Sequence, residues 1–186
     1  MKKCFFLFIA LGLFSVSNAQ QRVSGVALPE QLNLNEQKLL YNGGGVREKL
    51  WIDLYVAALY LQEKSSDTKQ ILTSNKPMSV RLHIVSKLIT SKKMIDAVEE
   101  GFKNSTNGNT ASIRKRIDSF IEFFKDEIVK GDEFDLLYIP GKGTIAYKNG
   151  VKKGVIPGLD FKTALFGIWL SNKAADDNLK EKMLGK

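Results

Sequence analysis

A run of twelve residues, LWIDLYVAALYL from Leu50 to Leu61, constrains this chain more than any other stretch. Aromatic and aliphatic residues dominate it, which favours an extended strand over a loop. Side chains alternate across a strand, so Leu50, Ile52, Leu54, Val56, Ala58 and Tyr60 share one face and Trp51, Asp53, Tyr55, Ala57, Leu59 and Leu61 the other. Both faces are largely apolar, so this is a central strand covered on both sides. Just ahead of it three glycines, Gly43 to Gly45, lead through Val46 to Arg47. Glycine can adopt positive φ or let another backbone come close, so they read as a tight bend or bulge rather than a flexible linker. Arg47 is a cation at the mouth of an apolar stretch, and a guanidinium there needs an anionic or planar partner, because burying it unpaired costs several kcal/mol. Two readings follow. Arg47 is either one half of a structural ion pair, with Asp53 or Glu48 as the nearby carboxylates, or an anion clamp at the rim of an apolar pocket.

The remaining segments predict how that strand is covered. Arg22 to Leu28 alternates and meets Pro29, as a first strand closed by a turn, and Leu32 to Leu40 alternates around Asn35 and Glu36 until the glycines end it. After a polar interval, a short helix runs to Leu72, and Met78 to Val85 alternates as another strand. Thr90 or Ser91 suits the N-cap of a helix carrying Met94, Ile95, Val98 and Phe102. The most periodic segment is Ile113, Ile117, Phe120, Ile121, Phe124 and Ile128, an amphipathic helix laid on a sheet. Three short strands follow, at residues 134–139, 144–148 and 151–156, with Asn149-Gly150 marking a tight hairpin. Asp160 is placed to cap a helix bearing Phe161, Leu165, Ile168 and Trp169 on one side, and a last helix begins near Ala174 or Asp176. The fold class is α+β, an antiparallel sheet with helices gathered on one face.

The N-terminus reads as an export leader. Lys2 and Lys3 precede an apolar run to Val16, and Ser17, Asn18 and Ala19 present the small-residue pattern of a cleavage site. The expected processing leaves residues 1–19 as signal peptide and residues 20–186 as one exported, periplasmic domain. The alternative of an uncleaved anchor is disfavoured, since about fifteen apolar residues fall short of the roughly twenty that span a bilayer. Cys4, the only cysteine, lies in the leader, so about 165 residues must be held by their core alone, a size that buries roughly two thirds of the unfolded surface. One histidine, His83, and no mature cysteine leave no zinc or haem site of the usual kind, and no cofactor is expected. His83 reads as a strand residue with a local hydrogen bond. The 28 basic residues against 20 acidic ones are spread along the chain, and Arg114, Lys115 and Arg116 fall on the polar side of an amphipathic helix. An exported chain without aromatic platforms among that charge does not suit nucleic acid, whereas attraction to anionic lipid headgroups stays open.

In order and spacing these segments resemble the chalcone isomerase-like family, in its secreted bacterial branch. The resemblance is carried by Gly43-Gly44-Gly45-Val46-Arg47, by Tyr55 to Leu61, and by the tail Pro157-Gly158, Asp160-Phe161, Leu165 to Leu170 and Asp176 to Lys180. It implies an open-faced β-sandwich, a large antiparallel sheet wrapped by helices with a cleft between them. In the plant enzymes of that family a strand arginine orients the anionic oxygen of the substrate, a threonine and a tyrosine order a water, and an asparagine and a second hydroxyl residue hold the far ring. Arg47 matches the arginine. Tyr55 stands at the threonine position, Met94 at the tyrosine, Gly101 near the asparagine and Ile168 near the second hydroxyl, so the polar network gives way to a greasier pocket.

Relatives that bind fatty acids keep an arginine and a later tyrosine that together hold a carboxylate, and Arg47 with Tyr55 fits that pair. Eight extended residues cover about 26 Å, so the two meet only if the chain turns back between Glu48 and Trp51. Three functions follow. The first is non-catalytic binding of a small amphipathic acid, a fatty acid above all, by Arg47, Tyr55 and Met94. The second is an intramolecular lyase or isomerase in which Arg47 stabilises an oxyanion, although no general acid or base is evident. The third is a structural or partner-binding domain in which Arg47 is only an ion-pair partner.

Overall fold

A computed structural model describes residues 21–186, and the leader expected at residues 1–19 lies outside the described residues. The first segment is a hairpin rather than one strand: β1 (Gln21–Val23) and β2 (Val26–Leu28) pair around Ser24 and Gly25, both at positive φ. Next come β3 (Gln31–Leu34) and β4 (Gln37–Lys49), joined at Asn35-Glu36, again at positive φ. The glycines do not end this strand. β4 passes straight through them and pairs with β5 (Ile52–Leu61) up to its last residue. The chain continues through α1 (Thr68–Thr73), β6 (Met78–Ile84), α2 (Ser91–Ser105, capped by Thr90) and α3 (Arg114–Ile121). It closes with β7 (Glu133–Ile139), β8 (Gly143–Lys148), β9 (Val151–Ile156), α4 (Leu159–Leu170) and α5 (Asp177–Met183).

Strands β3 to β9 form one curled antiparallel sheet in sequence order. The open-faced α+β architecture expected from the sequence is the one observed. The helices pack on one face, where Ala57, Leu59 and Leu61 of β5 meet Phe102, Phe120, Phe161 and Leu165 in the larger core. On the other face Val56, Ala58 and Tyr60 join Leu28, Leu32 and Leu137 in a second core that the β1–β2 hairpin helps to cover. Cover on both sides of β5 is thus realised by helices on one side and by the curl of the sheet with its hairpin on the other.

The glycines are explained by α5, which lies directly on β4. A Cβ on Gly43 would stand 2.8 Å from the Met183 carbonyl oxygen, and one on Gly45 2.8 Å from the Lys182 side chain. The pairing slips at Asn42, whose amide donates to the carbonyls of Ser65 and Met183 at 2.9 Å each and accepts from the Ser65 N–H at 2.8 Å. A second slip leaves Leu54 unpaired opposite Arg47 and Glu48, so Leu54 packs with the helical core alongside Tyr55. Strict alternation had put Leu54 on the other face, and the bulge is what re-aims it.

Two helical expectations change as well. The periodic segment after Ile113 is helical only to Ile121, then tightens into a 3-10 turn at Glu122–Phe124 and leaves helix before Ile128, although Ile113, Ile117, Phe120, Ile121, Phe124 and Ile128 are all buried. Gly158 (φ 107°), not Asp160, occupies the cap position of α4, since the helix begins at Leu159 and Asp160 falls in its first turn, where its carboxylate accepts from Arg116 at 2.7 Å and from the Phe161 N–H at 2.9 Å. Arg114 likewise ties α3 to Glu99 of α2 at 2.8 Å, so these arginines brace helices rather than forming a free basic patch. Helix α4 is buried nearly all round, not on one side.

Candidate functional site

The hairpin between β4 and β5 brings the two residues of the expected clamp side by side. Lys49 pairs with Ile52, so Leu50 and Trp51 alone make the turn, and Arg47 and Tyr55 are direct cross-strand partners. The reversal required between Glu48 and Trp51 is therefore present, and the Leu54 bulge turns Leu54 and Tyr55 together toward the helices.

Arg47 already holds a carboxylate. Its Nη1 donates to Asp176 Oδ2 at 2.9 Å and to the Glu48 backbone carbonyl at 3.1 Å. The partner is neither Asp53, which accepts the Ser24 hydroxyl at 2.6 Å, nor the Glu48 side chain. Asp176 is the N-cap of α5, its Oδ1 accepting the Leu179 N–H at 2.9 Å. Burial pushes the Asp176 carboxyl up, but the Leu179 and Asn178 N–H groups and the Arg47 guanidinium outweigh it and hold the group below the usual carboxylate range. The pair is half-buried, its side chains 23% and 15% exposed.

Tyr55 accepts a hydrogen bond from Trp169 Nε1 at 3.1 Å. Burial raises its phenol above the ordinary value, the Trp169 bond and the Arg47 charge oppose that rise, and Asp176 adds to it. The hydroxyl is thus a neutral donor at neutral pH, with its proton free of protein acceptors among the described residues.

Arg47, Tyr55 and Met94 all line one cavity of about 600 Å³ between the sheet and α2, α3 and α4. Exposure grades its walls from floor to mouth. Leu82, Met94, Phe120, Phe124 and Leu136 are buried at the floor, whereas Lys49, Leu50, Leu88, Lys93 and Lys173 are exposed at the opening. Gly101 and Ile168 line it too, so the positions that the resemblance assigned to the plant site converge on one space. A Cβ on Gly101 would come within 2.8 Å of the Ile168 side chain, so glycine there sets how closely α2 and α4 pack.

His83 lies elsewhere. It pairs with Val56 on the second-core face and lines a separate recess with Ser24, Asp53 and Lys130, and among the described residues its ring has no hydrogen-bond partner, contrary to expectation. No cluster of three or more His, Cys, Asp or Glu residues suited to a metal occurs among the described residues. Asp176 and Trp169 are the site residues that sequence reasoning missed. Both stand in recognised helical segments, but Asp176 is 129 residues from Arg47, and no local pattern links them.

The sequence profile described as chalcone isomerase-like matches residues 20–185. No curated protein matches the chain. Among solved structures, the crystal structure of a fatty-acid binding protein from Arabidopsis thaliana aligns with a TM-score of 0.68 at 18% identity, covering 86% of this chain and 92% of that one. Similarity of that degree establishes the shared fold.

Proposed function

The chain belongs to the chalcone isomerase-like family, and from that premise we propose that it binds a small amphipathic acid, best a fatty acid, without transforming it. One observation carries the reading: Arg47 and Tyr55, cross-strand neighbours, stand together in the wall of a largely apolar cavity of about 600 Å³. That volume lies in the ordinary range for small-molecule sites. The guanidinium supplies charge and paired donors for a carboxylate, the phenol adds one neutral donor, and Met94 with the floor residues covers the alkyl chain. The Arabidopsis protein, described as fatty-acid binding, supports the choice of acid. An exported, periplasmic protein is proposed from the leader-like N-terminus.

The lyase reading has less support, since the cavity presents no histidine and His83 faces the other side of the sheet. The structural reading has a specific observation behind it, the Arg47–Asp176 pair. Both protein bonds of Arg47 leave from Nη1, so an acid meets either the remaining edge of the guanidinium or the place that Asp176 holds.

The test is displacement of a fluorescent fatty acid. Arg47→Met keeps most of the side-chain volume, and affinity is expected to fall by about 1.5–3 kcal/mol. Tyr55→Phe removes one hydroxyl and should weaken binding less. Unchanged affinity in both variants, with Arg47→Met lowering stability alone, would leave Arg47 a structural residue.

A further inference from the structure

The turn at the cavity mouth has an unusual composition. Leu50 and Trp51 form a two-residue hairpin loop with φ of 51° and 66°, a conformation that normally selects Asn-Gly because large side chains crowd the left-handed backbone. The same chain uses Asn149-Gly150 for that turn, at φ of 51° and 76°, with the Asn149 side chain tied to Glu133 and Asp132. At residues 50–51 the two bulky apolar side chains are instead held in water, 81% and 93% exposed. Ile52 beside them and Leu88 on the neighbouring loop extend the patch, and that loop is fixed there by the Val85 and Ser86 N–H groups on the Leu54 carbonyl.

The surroundings specify what would cover the patch. Lys49, Lys93 and Lys173 are exposed on the same mouth, and Lys87 adjoins Leu88. Two acidic residues also line the cavity, Asp96, which is held by Lys92 at 2.8 Å, and Glu100. Glu48 and Asp53, an exposed cross-strand pair, also flank the turn, with Asp53 on the side of Ser24, so cations outnumber anions on the mouth side of an apolar tip that carries a tryptophan, the side chain best suited to the boundary between headgroups and acyl chains.

We propose that this protein docks on an anionic lipid bilayer through the Leu50-Trp51 turn, with the surrounding lysines on the headgroups, so that the cavity mouth opens onto the membrane surface. The docking rests on the turn and its charges, while its purpose, loading or unloading an acid, rests on the binding reading above. The backbone strain at residues 50–51 is retained because the turn must present apolar side chains outward, which Asn-Gly does not do.

The experiment compares the protein with the double variant Leu50→Asn/Trp51→Gly. Both are expressed as the full chain, so the leader has the same fate in each and cancels from the comparison. The variant installs the turn sequence the backbone prefers and should fold at least as well. Vesicles of mixed phosphatidylglycerol and phosphatidylcholine, and vesicles of phosphatidylcholine alone, are titrated by co-sedimentation and tryptophan fluorescence. Trp169 is buried, so a blue shift reports Trp51. Binding to the anionic vesicles is expected with a blue shift, weaker at high salt and on the neutral vesicles, and the variant should lose about tenfold or more in affinity. Failure to bind, equal binding by the variant, or equal binding to neutral vesicles would overturn the proposal. So would a dimer in sedimentation that the variant abolishes, since a second copy would then cover the turn. Fatty-acid displacement on the same two proteins separates the claims. An acid site that fails leaves docking standing if vesicles still bind, and an acid site that survives in the variant leaves binding standing if vesicles do not.

Discussion

Asp176 performs two tasks with one carboxylate: Oδ1 starts α5 through the Leu179 N–H and Oδ2 accepts from Arg47. Asparagine is an equally good N-cap, so Asp176→Asn removes the charge while leaving the helix start in place. If the ligand acid competes with Asp176 for Arg47, the substitution should raise fatty-acid affinity, at a loss of stability of about 1–2 kcal/mol for a half-buried pair. The sign of the pH effect follows from the lowered carboxyl of Asp176. Its contribution is complete above the unfolded value, about 3.9, and is lost as pH falls through the lower folded value. The stability gap between native protein and Asp176→Asn, from denaturant titrations, should therefore be full at pH 7 and narrow near pH 3. Affinity unchanged in the variant would mean that the acid uses the other edge of the guanidinium. Arg47 stands out in the sequence by itself, Tyr55 only through the family resemblance, and the Leu50-Trp51 turn that makes them neighbours lies where the sequence predicts a continuous strand. Asp176 was not legible, because its approach depends on α5 lying across the glycines of β4, a tertiary consequence of the whole chain.

Among the elements, α4 departs furthest from its sequence reading. Its apolar residues look one-sided, but it is enclosed by α1, α2 and the sheet, and even Lys162 is fully buried. The ammonium donates to the carbonyls of Ile71, Leu72 and Ser74 at 2.7, 2.9 and 3.0 Å, one proton for each acceptor at the C-terminal end of α1. Lys162→Met should leave the Ser74 carbonyl without a donor, with Leu72 and Ile71 keeping only the Thr163 and Ser74 hydroxyls, and cost about 2–3 kcal/mol, read as a fall in the urea midpoint at constant slope. Burial pushes the ammonium down to about 8. Between that value and the unfolded one near 10.4 the unfolded chain binds more protons, so Lys162 makes stability rise with pH there, and the rise should be missing in the variant. A lysine on a helix next to aromatic residues ordinarily reads as surface, which is why this one was passed over. The α3 segment teaches the opposite lesson. Its spacing identified every buried residue from Ile113 to Ile128 but overstated the helix, because spacings of three and four survive when the last turn tightens to 3-10.

At the scale of the whole molecule, the sheet and its helices leave about 600 Å³ open between α2, α3, α4 and the sheet. The order of strands and helices, the Asn149-Gly150 turn and the doubly apolar β5 were enough to read the fold class. The size of the gap was not legible, since it depends on how Gly101 seats α2 against Ile168 and where the Leu54 bulge turns its side chain. An apolar space of this size forfeits contacts that a filled core would make, and a ligand restores them only in the folded state. Binding must therefore appear as stability. At a free acid concentration of about 100 times Kd the gain is about 2.7 kcal/mol. For a domain of this length that corresponds to a rise in Tm of roughly 5–10 °C. Protein stripped of lipid on a hydrophobic resin should melt lower and recover on adding a long-chain fatty acid. The methyl ester of the same acid fills the cavity but lacks the charge that Arg47 recognises, so it should give a clearly smaller rise. In Arg47→Met the acid should lose its advantage over the ester. No shift with the acid at any concentration would remove the cavity as a lipid site, and equal shifts for acid and ester would keep the cavity while removing Arg47 as its carboxylate clamp.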